Sequence, residues 1–411
     1  MNTATTALVI GGGVAGSVIA LALRKAGIDA TVYERYPVAA DGVGAGLSLA
    51  PNGQRALAAI DCEHVLDSLG IEIPGQTFGD ASGNIFTEFA GFPDLPGTKV
   101  MARAELFRAL ADHAAASGIR FEYNKKLVSI AQTEDAVTAT FADGSTATAD
   151  ILIGADGIRS TVRTLIDADA PGPEYGGVLS FGGIARGSDV QTKHEMMYFA
   201  FGQTFLGYYH VPAAALLGVG RGGQDDPDPG NPEGNVAWFA SLARPERLTS
   251  AETHETTRAA WLSQLRELYA GHLPGETLLA HTAPEDLTVV GPMELMPSVP
   301  TWHRGRVVLV GDSAHAPSSS SGQGASLAIE SAVELARCLR DLSIPEAFAA
   351  YEQLRRPRVE AIAAGARGAN KAKAEGAATG KPALPDPEQM FRHTHYYEID
   401  WDQPVTVPGG E

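Results

Sequence analysis

Residues 4–34 read "ATTALVIGGGVAGSVIALALRKAGIDATVYE", and no other stretch restricts the fold as strongly. Ala7–Ile10 is an apolar run of strand length. Gly11, Gly13 and Gly16 then form G-x-G-x-x-G, Ala15–Ala26 suits a helix, Gly27 ends it, and Ala30–Tyr33 makes a second strand. Glu34 stands at the end of that strand, 18 residues after Gly16. Gly11 permits the tight turn, Gly13 lets a pyrophosphate approach the backbone, and Gly16 lets helix and strand pack closely. The helix N-terminus presents its positive dipole end to phosphate, and the acid accepts hydrogen bonds from ribose hydroxyls. Glycine turns alone are common. Strand, turn, helix, strand and acid in register predict a dinucleotide site, against the plainer alternative of a βαβ unit with an incidental turn. The pattern does not separate NAD from FAD. Glu34 would repel a ribose 2′-phosphate, so NADP is the poorest fit here. The candidate cofactor residues are Gly11, Gly13, Val14, Ala15, Gly16, Glu34 and Arg35.

A chain of 411 residues has room for roughly two to three domains at about 150 residues each. Its 44% hydrophobic and 19% charged content is that of a soluble globular protein. The net charge of −18 argues against a nucleic-acid partner. The apolar stretch from Ala7 to Leu23 has glycines in its first half and no basic residues before it, so it reads as strand and helix rather than a membrane span. Two cysteines, Cys62 and Cys338, cannot make a disulfide framework and predict a reducing, cytoplasmic setting. No metal site is expected. His393 and His395 have ligand-like spacing but lack an evident third ligand.

Two further junctions follow. Residues 150–163 read "DILIGADGIRSTVR", a strand, a turn at Asp156-Gly157 and a helix start carrying Arg159, Ser160 and Arg163. Taken alone this is an ordinary turn with a capping Asp, or a phosphate or ribose contact. Residues 311–324 read "GDSAHAPSSSSGQG" after the strand "RVVLV" and before the helix "ASLAIESAVELARCL". The ordered triplet of GxGxxG, DG and GD motifs resembles the group A FAD-dependent monooxygenases of the aromatic-hydroxylase (para-hydroxybenzoate hydroxylase-like) family, over residues 4–370. The resemblance implies that Asp156 and Gly157 touch the FAD pyrophosphate near the incoming nicotinamide, and that Gly311 and Asp312 hold the ribityl chain. It implies that Arg103, in "MARAELFRALADHAA", contacts FAD while Leu106 and Leu110 pack inward. Gly322, Gln323, Gly324 and Ala325 would then offer backbone N–H groups and a helix N-terminus to the ring's pyrimidine edge. His315 is a candidate catalytic histidine. Family members often carry Pro where this chain has Ser318, and Pro317 is the nearby proline.

The fold class expected is α/β, a Rossmann-like FAD-binding domain with an interleaved, mainly antiparallel substrate sheet and C-terminal helices. The FAD-binding domain is assigned to residues 1–72, 97–177 and 283–370, the substrate sheet to 73–96 and 178–282, and the tail to 371–411. One sheet face would meet helices and the other the flavin. Phe199, Phe201, Tyr208, His210 and Trp238, with Pro317 and Ser318, are the candidate substrate wall, and His210 is a second candidate catalytic histidine. The acidic, Pro- and Gly-rich loop 222–235 reads as exposed. The function implied is hydroxylation or oxygenation of an aromatic or polyketide-like molecule through a flavin hydroperoxide. NADPH or NADH would be the transient reductant and O2 the co-substrate, in a monomer or homodimer without nucleic-acid or membrane partners. The alternatives are a flavin oxidase or dehydrogenase of the same fold, or a non-catalytic flavin-containing binding protein.

Overall fold

The computed structural model describes residues 3–38, 46–193, 195–202, 204–212, 234–374 and 386–406. Gln203 and nearly all of the acidic loop 222–235 lie outside them. Among the described residues no helix is long and apolar enough to cross a membrane.

A six-stranded sheet carries the cofactor unit. Its spatial order is His303–Arg304, Val307–Leu309, Ile151–Gly154, Thr6–Ile10, Asp29–Tyr33 and Arg120–Glu122. All neighbours are parallel except the first pair. Ile151–Gly154 is buried at every position, as a parallel strand covered on both faces must be. Helix Val14–Lys25 packs against helices Gly324–Asp341 and Arg103–Ala116. Leu106 and Leu110 are fully buried in the last of these, as expected from the sequence. Because Thr6–Ile10, Ile151–Gly154 and Val307–Leu309 are parallel neighbours, the three glycine-bearing junctions leave the sheet along one edge, at the carboxyl ends of the strands. Ligands bind on that side of an open α/β sheet.

The junctions interlock. A Cβ on Gly16 would lie 1.8 Å from the Gly11 carbonyl oxygen, and one on Gly11, whose φ is +104°, would lie 2.5 Å from the Ala155 carbonyl oxygen. Gly311, at φ +64°, has its α-carbon hydrogen against the Ala15 methyl, where a Cβ would come within 2.8 Å. The Ser313 hydroxyl donates to the Gly154 carbonyl at 2.5 Å, and Arg163 donates to the Ser313 carbonyl at 2.9 Å.

A seven-stranded sheet forms the second unit, in the order Leu287–Leu295, Glu174–Ala185, Val236–Ala243, Phe205–His210, Met196–Phe201, Gly75–Asp80 and Ile85–Phe89. It is antiparallel apart from the pairing of Met196–Phe201 with Gly75–Asp80. Its first two strands reach to 174 and 295, so the chain returns to the cofactor unit later than the sequence boundary at 282 implies. The outermost strand is recruited by pairing along Glu174–Ala185, which no local pattern announces.

Side chains alternate between the faces of this sheet. Leu179, Phe181, Tyr198, Leu206, Tyr208 and Trp238 form one core with Trp261, Leu262, Leu265 and Leu278 of helices Arg258–Leu268 and Leu273–Ala280. The opposite face carries Phe78, Met197, Phe199, Phe201, Phe205, Tyr209 and Phe239. Phe78 stacks on Phe199 at 5.4 Å between ring centroids, and Phe205 lies 6.1 Å from Phe239. Ile73 and Val100 of a small three-stranded sheet pack on this face beside Met197. The tail folds back on the body, with Phe391 of helix Pro387–His395 stacked 5.4 Å from Phe89 and 6.5 Å from Phe78.

Overpacking a well-filled site costs about 1–3 kcal/mol and sometimes more. Gly16→Ala meets backbone rather than a movable side chain. It is expected at or above the top of that range, read as a lower urea midpoint of the apoprotein at unchanged m-value.

Candidate cofactor and substrate site

The adenosine end comes first. Glu34 accepts from the Gly12 N–H at 2.7 Å and from the Tyr36 N–H at 2.9 Å, so its carboxylate is held over the glycine turn. Arg35 is exposed and its guanidinium lies over the Tyr36 ring at 5.0 Å. Helix Val14–Lys25 starts without any side-chain cap. Its first N–H groups are therefore left for a ligand, and a Cβ on Gly13 would meet only one atom, 3.9 Å away.

Asp156 is bonded within the fold. Its carboxylate accepts from the Ser160 hydroxyl at 2.5 Å and from the Thr161 and Val162 N–H groups at 2.7 and 3.1 Å. It caps the short helix Thr161–Ile166. Burial pushes its pKa up, while these hydrogen bonds pull it down. Arg163 is buried and bonded to the carbonyls of Ser313 and Ile158, and Arg159 pairs with Glu294 at 2.6 Å. Asp156 and Arg163 thus serve the frame, whereas Gly157, at φ +79°, faces open space.

Asp312 is the reverse case. It is half-buried and has no hydrogen bond to any described residue. Burial raises its pKa above the ordinary carboxylate value, and the Arg103 charge opposes this. Arg103 opens its helix, exposed, with its guanidinium over Phe107 at 5.0 Å. Beyond Asp312, Gly322 (φ +61°) and Gly324 face open space, where a Cβ would meet nothing within 4 Å. Helix Gly324–Asp341 also begins without a side-chain cap, Ala325 is in its first turn, and the Gln323 side chain turns inward to Asn52 at 2.9 Å. A partnerless carboxyl, two bare glycines and two uncapped helix N-termini on one sheet edge are what the ribityl hydroxyls, pyrophosphate and ring edge of FAD require, so the residues present fit that group.

The candidate histidines are not at this cleft. His315 is buried, its Nε2 is joined to the Ser331 hydroxyl at 2.8 Å, and its ring lies against Trp302. Burial, then the Arg355 charge, brings its pKa down to about 3, so it is a neutral core residue. His210 is buried on the helix side with Tyr208 and Trp238. Trp238 donates to the Thr282 hydroxyl at 2.9 Å. Of the five predicted wall residues on this sheet, only Phe199 and Phe201 are on the aromatic face. Pro317 is half-buried, and Ser318 is buried with its hydroxyl 3.2 Å from the Met293 sulfur.

Tyr209 is absent from the residues expected on sequence grounds. Its ring is half-buried beside Ile71, Ile73, Met197 and Val100, and its hydroxyl has no partner among the described residues. Burial pushes its pKa up to about 12, so it remains a donor at neutral pH. Counting by twos from Phe205 across the "TFLGYYH" strand places Tyr209, not Tyr208, on the face of Phe199. Two segments run from this face toward the junction that carries Asp312. Val100 packs on the face from the strand Thr98–Ala102, which Arg103 directly follows. Ser318 and Ser319 reach Met293 on the outer strand, each at 3.2 Å.

Comparison with known proteins agrees with this geometry. The family model described as "FAD binding domain" matches residues 4–218 and 282–366. An FAD-dependent urate hydroxylase of Klebsiella pneumoniae is 29% identical, covering 88% of each chain. A 3-amino-4-hydroxybenzoate 2-monooxygenase of Streptomyces cremeus is 30% identical over 86% of this chain and 84% of its own. An aurachin C monooxygenase/isomerase of Stigmatella aurantiaca is 28% identical, over 89% and 88%. The fold matches the crystal structure of Klebsiella pneumoniae HpxO complexed with FAD and uric acid, with a TM-score of 0.73 at 24% identity over 95% of this chain and 92% of that one.

Asp312→Asn separates the cost of the carboxyl from its use. A carboxyl whose folded pKa is raised contributes its stability below the unfolded value near 4 and loses it as pH rises through the folded value. The apoprotein variant should therefore resist urea better than the parent at neutral pH, with the gap closing as pH falls through about 4. FAD affinity should fall about 5- to 10-fold, because Asn keeps an acceptor oxygen and loses only the charge that strengthens the bond, ~1–1.5 kcal/mol. Urea midpoints across pH and recovery of flavin fluorescence on dissociation give the two readings.

Proposed function

Because this chain belongs to the FAD-binding-domain family and is an FAD-dependent monooxygenase, we propose that it hydroxylates an aromatic small molecule held between the aromatic sheet face and the loop that follows Asp312. Bound FAD, reduced by NAD(P)H, supplies the electrons that activate O2, so that one oxygen atom enters the substrate and the other leaves as water. In this reading Glu34 receives the ribose hydroxyls and the turn Gly11–Gly16, with its helix N-terminus, receives the pyrophosphate. Asp312 accepts a hydrogen bond from the ribityl chain. Gly322, Gln323, Gly324 and Ala325 line the ring end, and Arg103 borders Asp312.

The observation that carries the reading is the partnerless Asp312 carboxyl, linked through Arg103 and Val100 to a sheet face of Phe78, Phe199, Phe239 and Tyr209. That face excludes water from a flat apolar ring. The Tyr209 hydroxyl donates one hydrogen bond to a substrate oxygen or nitrogen and orients the ring. Relatives named for urate and for 3-amino-4-hydroxybenzoate support a small aromatic substrate carrying such polar atoms. The reductant binds transiently on the outer surface, near the Asp156–Arg163 face. A cytosolic setting fits two free, buried thiols, Cys62 and Cys338, whose pKa values burial raises to about 11 and 12.

Purified protein should be yellow, with about one FAD per chain. A panel of hydroxylated and aminated aromatic compounds should contain members that accelerate NAD(P)H oxidation and gain one oxygen atom from labelled O2. NAD(P)H consumption that yields only hydrogen peroxide with every compound would point instead to an oxidase. Tyr209→Phe should raise KM or lower kcat about 2- to 10-fold, the value of one neutral hydrogen bond at ~0.5–1.5 kcal/mol, while flavin affinity stays unchanged.

A further inference from the structure

Arg355 lies in the long helix Ile344–Ala374 with no exposed surface. Nothing in the cofactor reading uses it, yet it is the hub of a buried polar network. Its Nη2 donates to the Glu330 carboxylate at 2.5 Å and its Nε to the Ser331 hydroxyl at 3.1 Å. Burial alone would neutralise Glu330, but the Arg355 and Arg358 charges hold its pKa below the ordinary value. Two arms leave this pair. Through Ser331 the first reaches His315 Nε2 at 2.8 Å. Through Glu330 the second reaches Asn52 Nδ2 at 2.5 Å, and the same amide donates to Gln323 Oε1 at 2.9 Å.

His315 and Gln323 are the two ends of the segment that follows Asp312. One guanidinium is thus tied to both ends of a loop whose middle, Pro317–Gly322, bonds to its own serines and to Met293. Apart from Ser318, this middle is exposed or half-buried and has no large side chain with which to hold a shape. The tail closes the network from outside. The Tyr397 ring lies 4.8 Å from the Arg355 guanidinium and 4.3 Å from that of Arg358, and its hydroxyl donates to Glu334 at 2.7 Å.

We propose that Arg355 is a positioning residue that sets the spacing of His315 and Gln323 and thereby the shape of the loop that receives the ring end of FAD. The proposal rests on the reading that residues 311–325 receive FAD. An ion pair with no exposure is weak evidence for stability by itself and is better explained where it specifies one arrangement. Here the arrangement is the distance between two loop ends. Lysine keeps the charge opposite Glu330 but lacks the fork that serves Glu330 and Ser331 together.

The test uses full-length protein carrying Arg355→Lys, Ser331→Ala, Asn52→Ala, and each alanine variant combined with Arg355→Lys. Three quantities are measured: the FAD dissociation constant, the midpoint potential of the bound flavin, and the melting temperature of the apoprotein. Ser331→Ala and Asn52→Ala should each weaken FAD binding about 3- to 10-fold and shift the potential, the effect of losing one buried hydrogen-bonded link of ~0.5–1.5 kcal/mol. In the Arg355→Lys background Ser331→Ala should add little, because its link to Arg355 runs through the Nε that lysine lacks, whereas Asn52→Ala keeps its effect, since Arg358 also donates to Glu330, twice at 2.9 Å. If Arg355→Lys does not fold, the two single-arm variants still decide. Wild-type flavin affinity and potential in those variants, with or without a lower apoprotein melting temperature, would make the network purely structural and overturn the proposal. An additive effect of Ser331→Ala in the Arg355→Lys background would also overturn it. Failure of the wild-type protein itself to bind FAD would instead overturn the underlying reading.

Discussion

Among the described glycines, Gly16, set against the carbonyl oxygen of Gly11, has the least room for a side chain. Gly16 approaches that carbonyl from the first helix, while Gly11 itself abuts Ala155 at the end of the neighbouring strand. Close packing of backbone on backbone brings the first helix down onto the sheet edge and the second junction against the first. Gly311 and Ala15 repeat the arrangement for the third. With the three junctions locked, the uncapped N-termini of helices Val14–Lys25 and Gly324–Asp341 lie on one edge of the sheet, and polar backbone is left for a ligand where water would otherwise sit.

The internal hydrogen bonds divide the acids and bases of these junctions by role. Asp156 and Arg163 are hydrogen-bonded within their own surroundings, and they hold the middle junction to its neighbours. Asp312 receives nothing from the described residues. Both carboxyls are pushed toward neutrality by burial, but only Asp156 has hydrogen bonds that oppose this. A carboxyl left costly by the fold marks where a ligand compensates.

The substrate sheet depends on a two-residue period. Tyr208 and Tyr209 are neighbours in sequence, yet one is in the helix-side core and the other on the aromatic face. The aromatic face is finished by segments distant in sequence. Val100 covers part of it from the strand leading into Arg103, and Phe391 caps Phe78 and Phe89 from the tail. Cofactor unit, sheet and tail therefore share one boundary.

Residue order alone specifies the three junctions, their succession, the glycines that let them close, the helix carrying Arg103, and the existence of an antiparallel, aromatic-rich sheet. These follow from local rules: apolar periodicity, turn chemistry and the absence of a side chain at a crowded position. Residue order does not separate Tyr208, His210 and Trp238 from Phe199 and Phe201, because which face of a strand is buried against helices depends on strand register and on what packs there. It leaves His315 between a catalytic and a structural role, which Ser331 and Trp302, 16 and 13 residues away in sequence, decide by enclosing it. Asn52, Glu330 and Arg355 have no visible relation along the chain, since a buried ion pair forms only when helices pack face to face and water is removed. Local geometry is written in neighbouring residues, whereas burial and the partners of polar groups are properties of the closed fold.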